Sequence, residues 1–248
     1  MSRFAVILPA AGQSSRFQKQ RRKKVFVELA GRAVWLRAAD CFVNRPDVAQ
    51  VLVVVSPDDL EWFKEKFAPN MAFMNVEIVA GGKERADSVG NALARVKSDV
   101  EYVAVHDAAR PLVSELWIDQ VFAKAQEVGA AILATPITST IKRATPEGLI
   151  ETTVSRERMW AAQTPQVFRR DWLLDAYARR GGLSATDEAQ LVEQAGYPIA
   201  LVECPVLNLK ITTESDYQLA EVALPAVPKA KGLSALHPFA NDDPNLWR

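Results

Sequence analysis

Five groups of residues in this 248-residue chain have types and spacings suited to phosphate and nucleotide chemistry. The first is Leu-Pro-Ala-Ala-Gly-Gln-Ser-Ser-Arg at positions 8–16. Its small residues Ala10, Ala11 and Gly12 allow close backbone approach to a ligand, and amide N–H groups just past a strand can cradle phosphate oxygens. The spacing is neither G-x-G-x-x-G nor a Walker A loop. A ligand-free strand-to-helix turn is the plainer alternative. The second group places six cations, Arg16, Lys19, Arg21, Arg22, Lys23 and Lys24, within nine residues. Such a run is ordinarily a solvated loop or a nucleic-acid patch. Here it begins inside the small-residue loop, so one or two of the cations face the same phosphates as the amides.

The third group, Gly81 to Val89, has two glycines after a strand and Ser88 early in a helix. That arrangement suits a base or ribose, or simply a strand–turn–helix junction. The fourth, Val-His-Asp-Ala-Ala-Arg-Pro at 105–111, offers Asp107 to a metal and Arg110 to a ribose, a phosphate or Asp107 itself. An internal Asp–Arg pair is the alternative. His106 reads as a packed, hydrogen-bonded residue. With His106 and His237 the only histidines, a His-dependent triad has little support. The fifth group collects Thr140, Arg156, Thr164, Thr186-Asp187-Glu188 and Asn208-Leu209-Lys210. Lys210, flanked by Leu209 and Ile211, either points into a site or snorkels to solvent.

These groups sit at the ends of regular elements. Apolar, β-branched runs predict strands at Phe4–Pro9, Gln50–Val55, Val76–Val79, Tyr102–Val105, Ala130–Thr135 and Ile199–Glu203. Helices are predicted after Pro57-Asp58-Asp59 and at Ala86–Val96, Ile118–Val128, Asp171–Arg179, Asp187–Gln194 and Glu214–Ala223. The alternation indicates an α/β fold with a mostly parallel twisted sheet and helices on both faces. Between Ile137 and Ser155, Thr-rich runs flank Pro146-Glu147-Gly148 and predict a protruding β-arm, about 137–156. The organisation is one domain, 1–224, with a loosely held tail, 225–248, containing four prolines and Trp247.

Bulk properties narrow the function. Lys+Arg and Asp+Glu are 30 each, so any anion site is local, and a general polyanion binder is disfavoured. Cys41 and Cys204 have no metal or disulfide spacing and read as small buried hydrophobes in a reducing compartment. No apolar run approaches the ~20 residues needed to cross a bilayer, and the N-terminus lacks a targeting signature, which points to a cytoplasmic protein.

In one order the chain carries PAAGxxxR, GGxERxDSV, VHDAARP, TxKR, VxRxxxWxAxTPQxF, TDEA and NxKIT. From about Phe4 to Ala223 it resembles the 2-C-methyl-D-erythritol 4-phosphate cytidylyltransferases of the non-mevalonate isoprenoid pathway. PAAG is shared with many nucleotidyltransferases, whereas VHDAARP and GGxERADSV are specific to this group and close relatives. The resemblance implies a Rossmann-like nucleotidyltransferase fold, transfer of CMP from CTP to the polyol phosphate, and Mg²⁺ or another divalent cation. It implies that Ala10, Ala11, Gly12, Gly82 and Ser88 hold the nucleotide, and that Arg16 and Lys24 stabilise the transition state. Asp107, Ala108 and Arg110 would line the ribose and metal side, with Asp107 on the metal. Thr140, Arg156, Thr164, Thr186 and Lys210 would position the acceptor, with Arg156 reaching into the partner's site of a homodimer joined through the arm. The chain departs from the family pattern at Ser14, where Gly is usual, in a longer segment between Arg16 and Lys24, and at Lys23-Lys24-Val25, where Lys23 competes with Lys24 for the catalytic role.

The chemistry so implied is in-line attack by an acceptor phosphate oxygen on the α-phosphorus, with diphosphate leaving. The nucleophile is already an anion, so no general base is needed; the requirement is stabilisation of accumulating negative charge. Competing readings are a ribitol phosphate cytidylyltransferase, a non-catalytic nucleotide-binding module, and a nucleic-acid binder using the basic loop.

Overall fold

The computed structural model describes residues 2–12 and 23–228. Arg16, the cations from Lys19 to Arg22, and the tail from 229 onward lie outside the described residues.

Seven strands form one sheet. They are β1 (Phe4–Pro9), β4 (Val48–Val55), β5 (Val76–Ala80), β6 (Tyr102–Val105), β7 (Ala130–Pro136), β10 (Trp160–Arg169) and β11 (Ala200–Glu203). Their order across the sheet is β11-β7-β10-β6-β1-β4-β5. All neighbours are parallel except β10, which runs antiparallel between β6 and β7. The predicted strands and helices all form, to within a few residues. Three further elements were not foreseen: a short hairpin of β2 (Glu28–Leu29) and β3 (Arg32–Ala33), helix α1 (Val34–Val43), and β10 itself. The arm is a separate two-stranded sheet, β8 (Ile141–Ala144) and β9 (Ile150–Val154), closed through Gly148 at φ 84°.

The inner strands are mostly apolar because both sheet faces are covered, and buried Gln50 in β4 and Gln163 and Gln166 in β10 are hydrogen-bonded exceptions. Along β1, Val6 and Leu8 face one core with Phe42, Phe63 and Phe122, while Ala5 and Ile7 face the other with Val89, Phe168 and Leu173. Helices α1, α2 (Leu60–Met74) and α4 (Glu115–Val128) supply the first side; α3 (Arg85–Leu93), α5 (Arg170–Ala178) and α6 (Glu188–Gln194) supply the second. Each fully buried Leu, Ile or Phe contributes ~1.5–3 kcal/mol by leaving water, so β1 is anchored firmly on both faces. A third cluster seats α7 (Glu214–Ala223) on Val27, Leu112 and Ile211, and Tyr217 donates its hydroxyl to the Glu28 carbonyl at 2.6 Å. The result holds the carboxyl ends of β6, β1, β4 and β5 along one edge of the sheet, where ligands bind in open α/β sheets.

Candidate active site

A cleft of about 380 Å³ opens at those strand ends. Its floor is the chain leaving β1, Pro9 to Gly12. A Cβ placed on Gly12 would meet no described atom within 4 Å. The glycines after β5 are needed for packing: a Cβ on Gly82 would sit 2.4 Å from Asp87 Cβ, and one on Gly81 would sit 2.9 Å from Ala11 Cβ. The two loops therefore close on each other. Ser88 fixes that junction, accepting from the Gly82 N–H at 3.0 Å and donating to the Glu84 carbonyl at 3.0 Å. Glu84 caps α3 in a reciprocal box with Asp87.

Asp107, at the end of β6, is the electrostatic centre. Its Oδ2 lies 2.8 Å from Lys210 Nζ and 3.8 Å from Arg110 Nε, and its Oδ1 lies 3.5 Å from Arg85 Nη2. Burial alone would raise its pKa, but the charges of Lys210, Arg85 and Arg110 outweigh this and hold the carboxyl well below the usual range. Asp107 is thus ionised throughout the physiological range. A relay below it sets the loop: the Asp107 N–H donates to Thr164 Oγ1 at 3.0 Å, Thr164 Oγ1 lies 3.1 Å from His106 Nδ1, and His106 Nε2 lies 3.1 Å from the Arg110 carbonyl. A carbonyl only accepts, so Nε2 carries the proton and Nδ1 accepts from Thr164. Burial lowers the imidazole to about 4, which keeps His106 neutral and structural, in line with the sequence reading. Lys210 is positioned by its neighbours: Ile211 N–H bonds to the Ala109 carbonyl at 2.9 Å, and Asn208 clamps the Thr164 carbonyl at 2.9 Å and Gln163 Oε1 at 3.0 Å.

The structure brings Ala10, Ala11, Gly12, Lys24, Gly82, Ser88, Asp107 and Lys210 to the cleft wall. The neighbouring lysines part company. Lys23 pairs with Asp59 at 2.6 Å and approaches the Ala11 carbonyl at 3.4 Å, whereas Lys24 lines the cleft. Three other sequence candidates support the wall from behind. Ala108 is fully buried, Thr164 is held in the relay, and Arg110 donates from Nη1 to the Asn208 carbonyl at 2.6 Å. Thr186 is exposed just before α6 and hydrogen-bonded to Gln190, off the cleft wall. Thr140 and Arg156 stand at the base of the arm, where Arg156 donates to the Thr138 carbonyl, and neither lines the cleft of its own chain. Arg85, Lys83 and Thr212 line the cleft without having been singled out. Arg85 was visible inside GGxERxDSV, but its partner Glu188 is 103 residues away.

The donor set limits what metal this wall can hold. Among the described residues no three His, Cys, Asp or Glu side chains converge, and Asp107 and Glu84 are the carboxylates on the cleft wall. One or two carboxylates together with nucleotide phosphates would fit a magnesium ion.

A family model described as 2-C-methyl-D-erythritol 4-phosphate cytidylyltransferase matches residues 4–226. A relative of that name from Rhodopirellula baltica is 45% identical over 231 residues, covering 89% of this chain and 94% of the relative. Another from Desulforamulus reducens is 37% identical, covering 90% and 97%. Among solved structures, that of 2-C-methyl-D-erythritol 4-phosphate cytidylyltransferase from Thermus thermophilus superposes with a TM-score of 0.73 at 35% identity, over 91% of this chain and 100% of that one. A 4-diphosphocytidyl-2C-methyl-D-erythritol synthase superposes with a TM-score of 0.77 at 31% identity, covering 90% and 99%. With a cleft assembled from its own family motifs and a match along nearly its whole folded length, the chain belongs to the 2-C-methyl-D-erythritol 4-phosphate cytidylyltransferase family.

Proposed function

We propose that this protein transfers CMP from CTP to 2-C-methyl-D-erythritol 4-phosphate, giving 4-diphosphocytidyl-2-C-methyl-D-erythritol and diphosphate in isoprenoid precursor synthesis. The observation that carries the reading is the convergence of segments distant in sequence, Ala10–Gly12, Lys24, Gly82–Ser88, Asp107 and Lys210, on one cleft at the carboxyl end of the sheet.

An oxygen of the acceptor phosphate attacks the α-phosphorus, the bond to the α,β-bridging oxygen breaks, and diphosphate departs with that oxygen. No side chain needs to remove a proton, which suits a site whose histidine is buried and neutral. Backbone N–H groups of Ala10 to Gly12, Lys24, Lys210 and Arg16 stabilise the charge that accumulates on the phosphoryl oxygens. Asp107 would hold a magnesium ion together with the triphosphate, and once bound that ion neutralises phosphate charge and orients the leaving group. Lys210 must leave Asp107 Oδ2 to reach substrate, and with a side chain 41% exposed it has room to turn. Lys210 also serves the acceptor side, Thr164 and Arg110 hold the wall behind it, and Thr186 would join only by turning away from Gln190.

The arm supports a homodimer. Leu149 and Ile150 at its tip are about two-thirds exposed, and Thr140 and Arg156 stand away from their own cleft. A partner's arm would bring both to the site they do not reach in their own chain. Among the described residues no helix is long and apolar enough to cross a membrane. A cytoplasmic location goes with the proposed activity. The test is diphosphate release with CTP, Mg²⁺ and a panel of acceptors. The reading requires release with methylerythritol phosphate and none with unphosphorylated methylerythritol. Faster turnover of ribitol phosphate would assign the chain to the sister activity, and CTP binding without release would make it a non-catalytic module.

A further inference from the structure

Arg85 opens α3 and lines the cleft, while Glu188 opens α6 on the far side of the same wall. Arg85 Nη1 donates to Glu188 Oε1 at 2.6 Å, and Nη2 stands 3.5 Å from Asp107 Oδ1. Glu188 is fully buried; its Oε1 also accepts from the Tyr177 hydroxyl at 3.3 Å, and its Oε2 has no hydrogen-bond partner among the described residues. Tyr177 lies against Gly90, where a Cβ would come within 3.3 Å of the ring. A carboxylate so placed is costly to desolvate, and apolar side chains of the same volume hold two helices together as well or better. Burial pushes the Glu188 carboxyl up against the pull of Arg85. Burial alone would depress Arg85, but Glu188 and Asp107 raise it above its ordinary value. The pair therefore needs an explanation other than stability.

The two distances supply one. Arg85 is tight on Glu188 and loose on Asp107, whose other oxygen already pairs with Lys210. A guanidinium released from Glu188 needs only a small shift to close on Oδ1, and both Asp107 oxygens would then be taken by protein cations. We propose that Glu188 is a positioning residue for cytidylyl transfer: it holds Arg85 back against the cleft wall and so leaves Oδ1 of Asp107 open to incoming substrate groups. The proposal rests on reading the cleft as the transfer site.

The test is steady-state diphosphate release by Glu188→Gln, Glu188→Asp, Arg85→Gln and the two double variants that combine Arg85→Gln with Glu188→Gln or Glu188→Asp, with wild type alongside. Glu188→Gln should lose tenfold or more in kcat. Its KM for CTP should stay within threefold, because the Ala10–Gly12 and Gly82 backbone is untouched. Glu188→Asp, which keeps the carboxylate, should recover at least threefold over Glu188→Gln. In the Arg85→Gln background, adding Glu188→Gln should change kcat by less than twofold, because no guanidinium remains to be held. Should Glu188→Gln fail to fold, Glu188→Asp decides the matter in the same cycle: whatever kcat it loses alone should vanish, to within twofold, in the Arg85→Gln background. The proposal is overturned if Glu188→Gln keeps more than half of kcat, or if the loss from either Glu188 substitution multiplies with that of Arg85→Gln. Absence of diphosphate release by wild type would instead refute the reading of the cleft itself.

Discussion

Replacing Lys23 and Lys24 one at a time by Ala separates two roles that adjacent residues of one type conceal. Lys23 Nζ sits 2.6 Å from Asp59, with the two side chains 19% and 24% exposed. Breaking a fully buried pair costs about 3–5 kcal/mol; with part of each side chain in water, the cost falls to about 1–2 kcal/mol. At about 2–4 °C per kcal/mol for a domain of this size, Lys23→Ala should lower Tm by about 2–8 °C. Its kcat should stay within about threefold of wild type, because the Lys23 charge is already spent on Asp59. Lys24 lines the cleft, so Lys24→Ala should lower kcat by roughly 10²–10³, equivalent to about 2.7–4 kcal/mol of transition-state stabilisation, with CTP still bound. Differential scanning fluorimetry and diphosphate release on the same preparations read both quantities. A large kcat loss in Lys23→Ala with near-normal turnover in Lys24→Ala would refute the assignment and with it the alignment across the lengthened basic segment.

Three further outcomes follow from the same geometry. Lys24→Ala and Arg156→Ala proteins, each nearly inactive alone, should regain activity when mixed after subunit exchange, because one site of the heterodimer receives both wild-type residues. Exchange confirmed by mass spectrometry without recovered activity rules out a shared site. Base selection by backbone groups of the Ala10–Gly12 and Gly82–Ser88 loops should favour CTP over UTP by about tenfold or more in kcat/KM, since a mismatched base leaves buried polar groups unpaired at ~1–3 kcal/mol each; equal use of the two nucleotides contradicts it. Because His106 titrates at about 4 when folded and at ~6.5 when unfolded, the unfolded chain takes up a proton that the folded one refuses. Stability from this residue is therefore complete above pH 6.5 and declines as pH falls towards 4. Urea unfolding should show about 1–2 kcal/mol lost to it between pH 6.5 and 5, and His106→Asn should lose that slope. An unchanged slope contradicts the buried neutral imidazole.

The elements that were legible in the sequence are those whose signals are local. Tyr102–Val105 and Glu214–Ala223 form with the predicted boundaries, the latter because Thr213 and Asp216 build a capping box. Helix α1 escaped notice because Ala33 gives its start no side-chain cap and six of its ten residues are buried. Strand β10 was read as a motif and not as a strand because Pro165 lies within it. The structure accommodates that proline where the ladder to β7 skips between Ala162 and Gln166, so no ladder hydrogen bond is lost there. At the site, the loops proposed to bind phosphate are contiguous and were readable. The charge balance around Asp107 was not, because Arg85 and Lys210 reach it, and Glu188 reaches Arg85, from separate parts of the chain that no periodicity links.

The central claim is that an oxygen of the acceptor phosphate becomes the bridge to the α-phosphorus of the nucleotide. The most direct measurement uses methylerythritol phosphate carrying ¹⁸O in its phosphate group, with unlabelled CTP, and locates the label by ³¹P NMR and mass spectrometry. All of the label should remain in the cytidylyl product, one labelled oxygen in the new diphosphate bridge and none in the released diphosphate. Label in the released diphosphate, or an unlabelled bridge, would contradict the account.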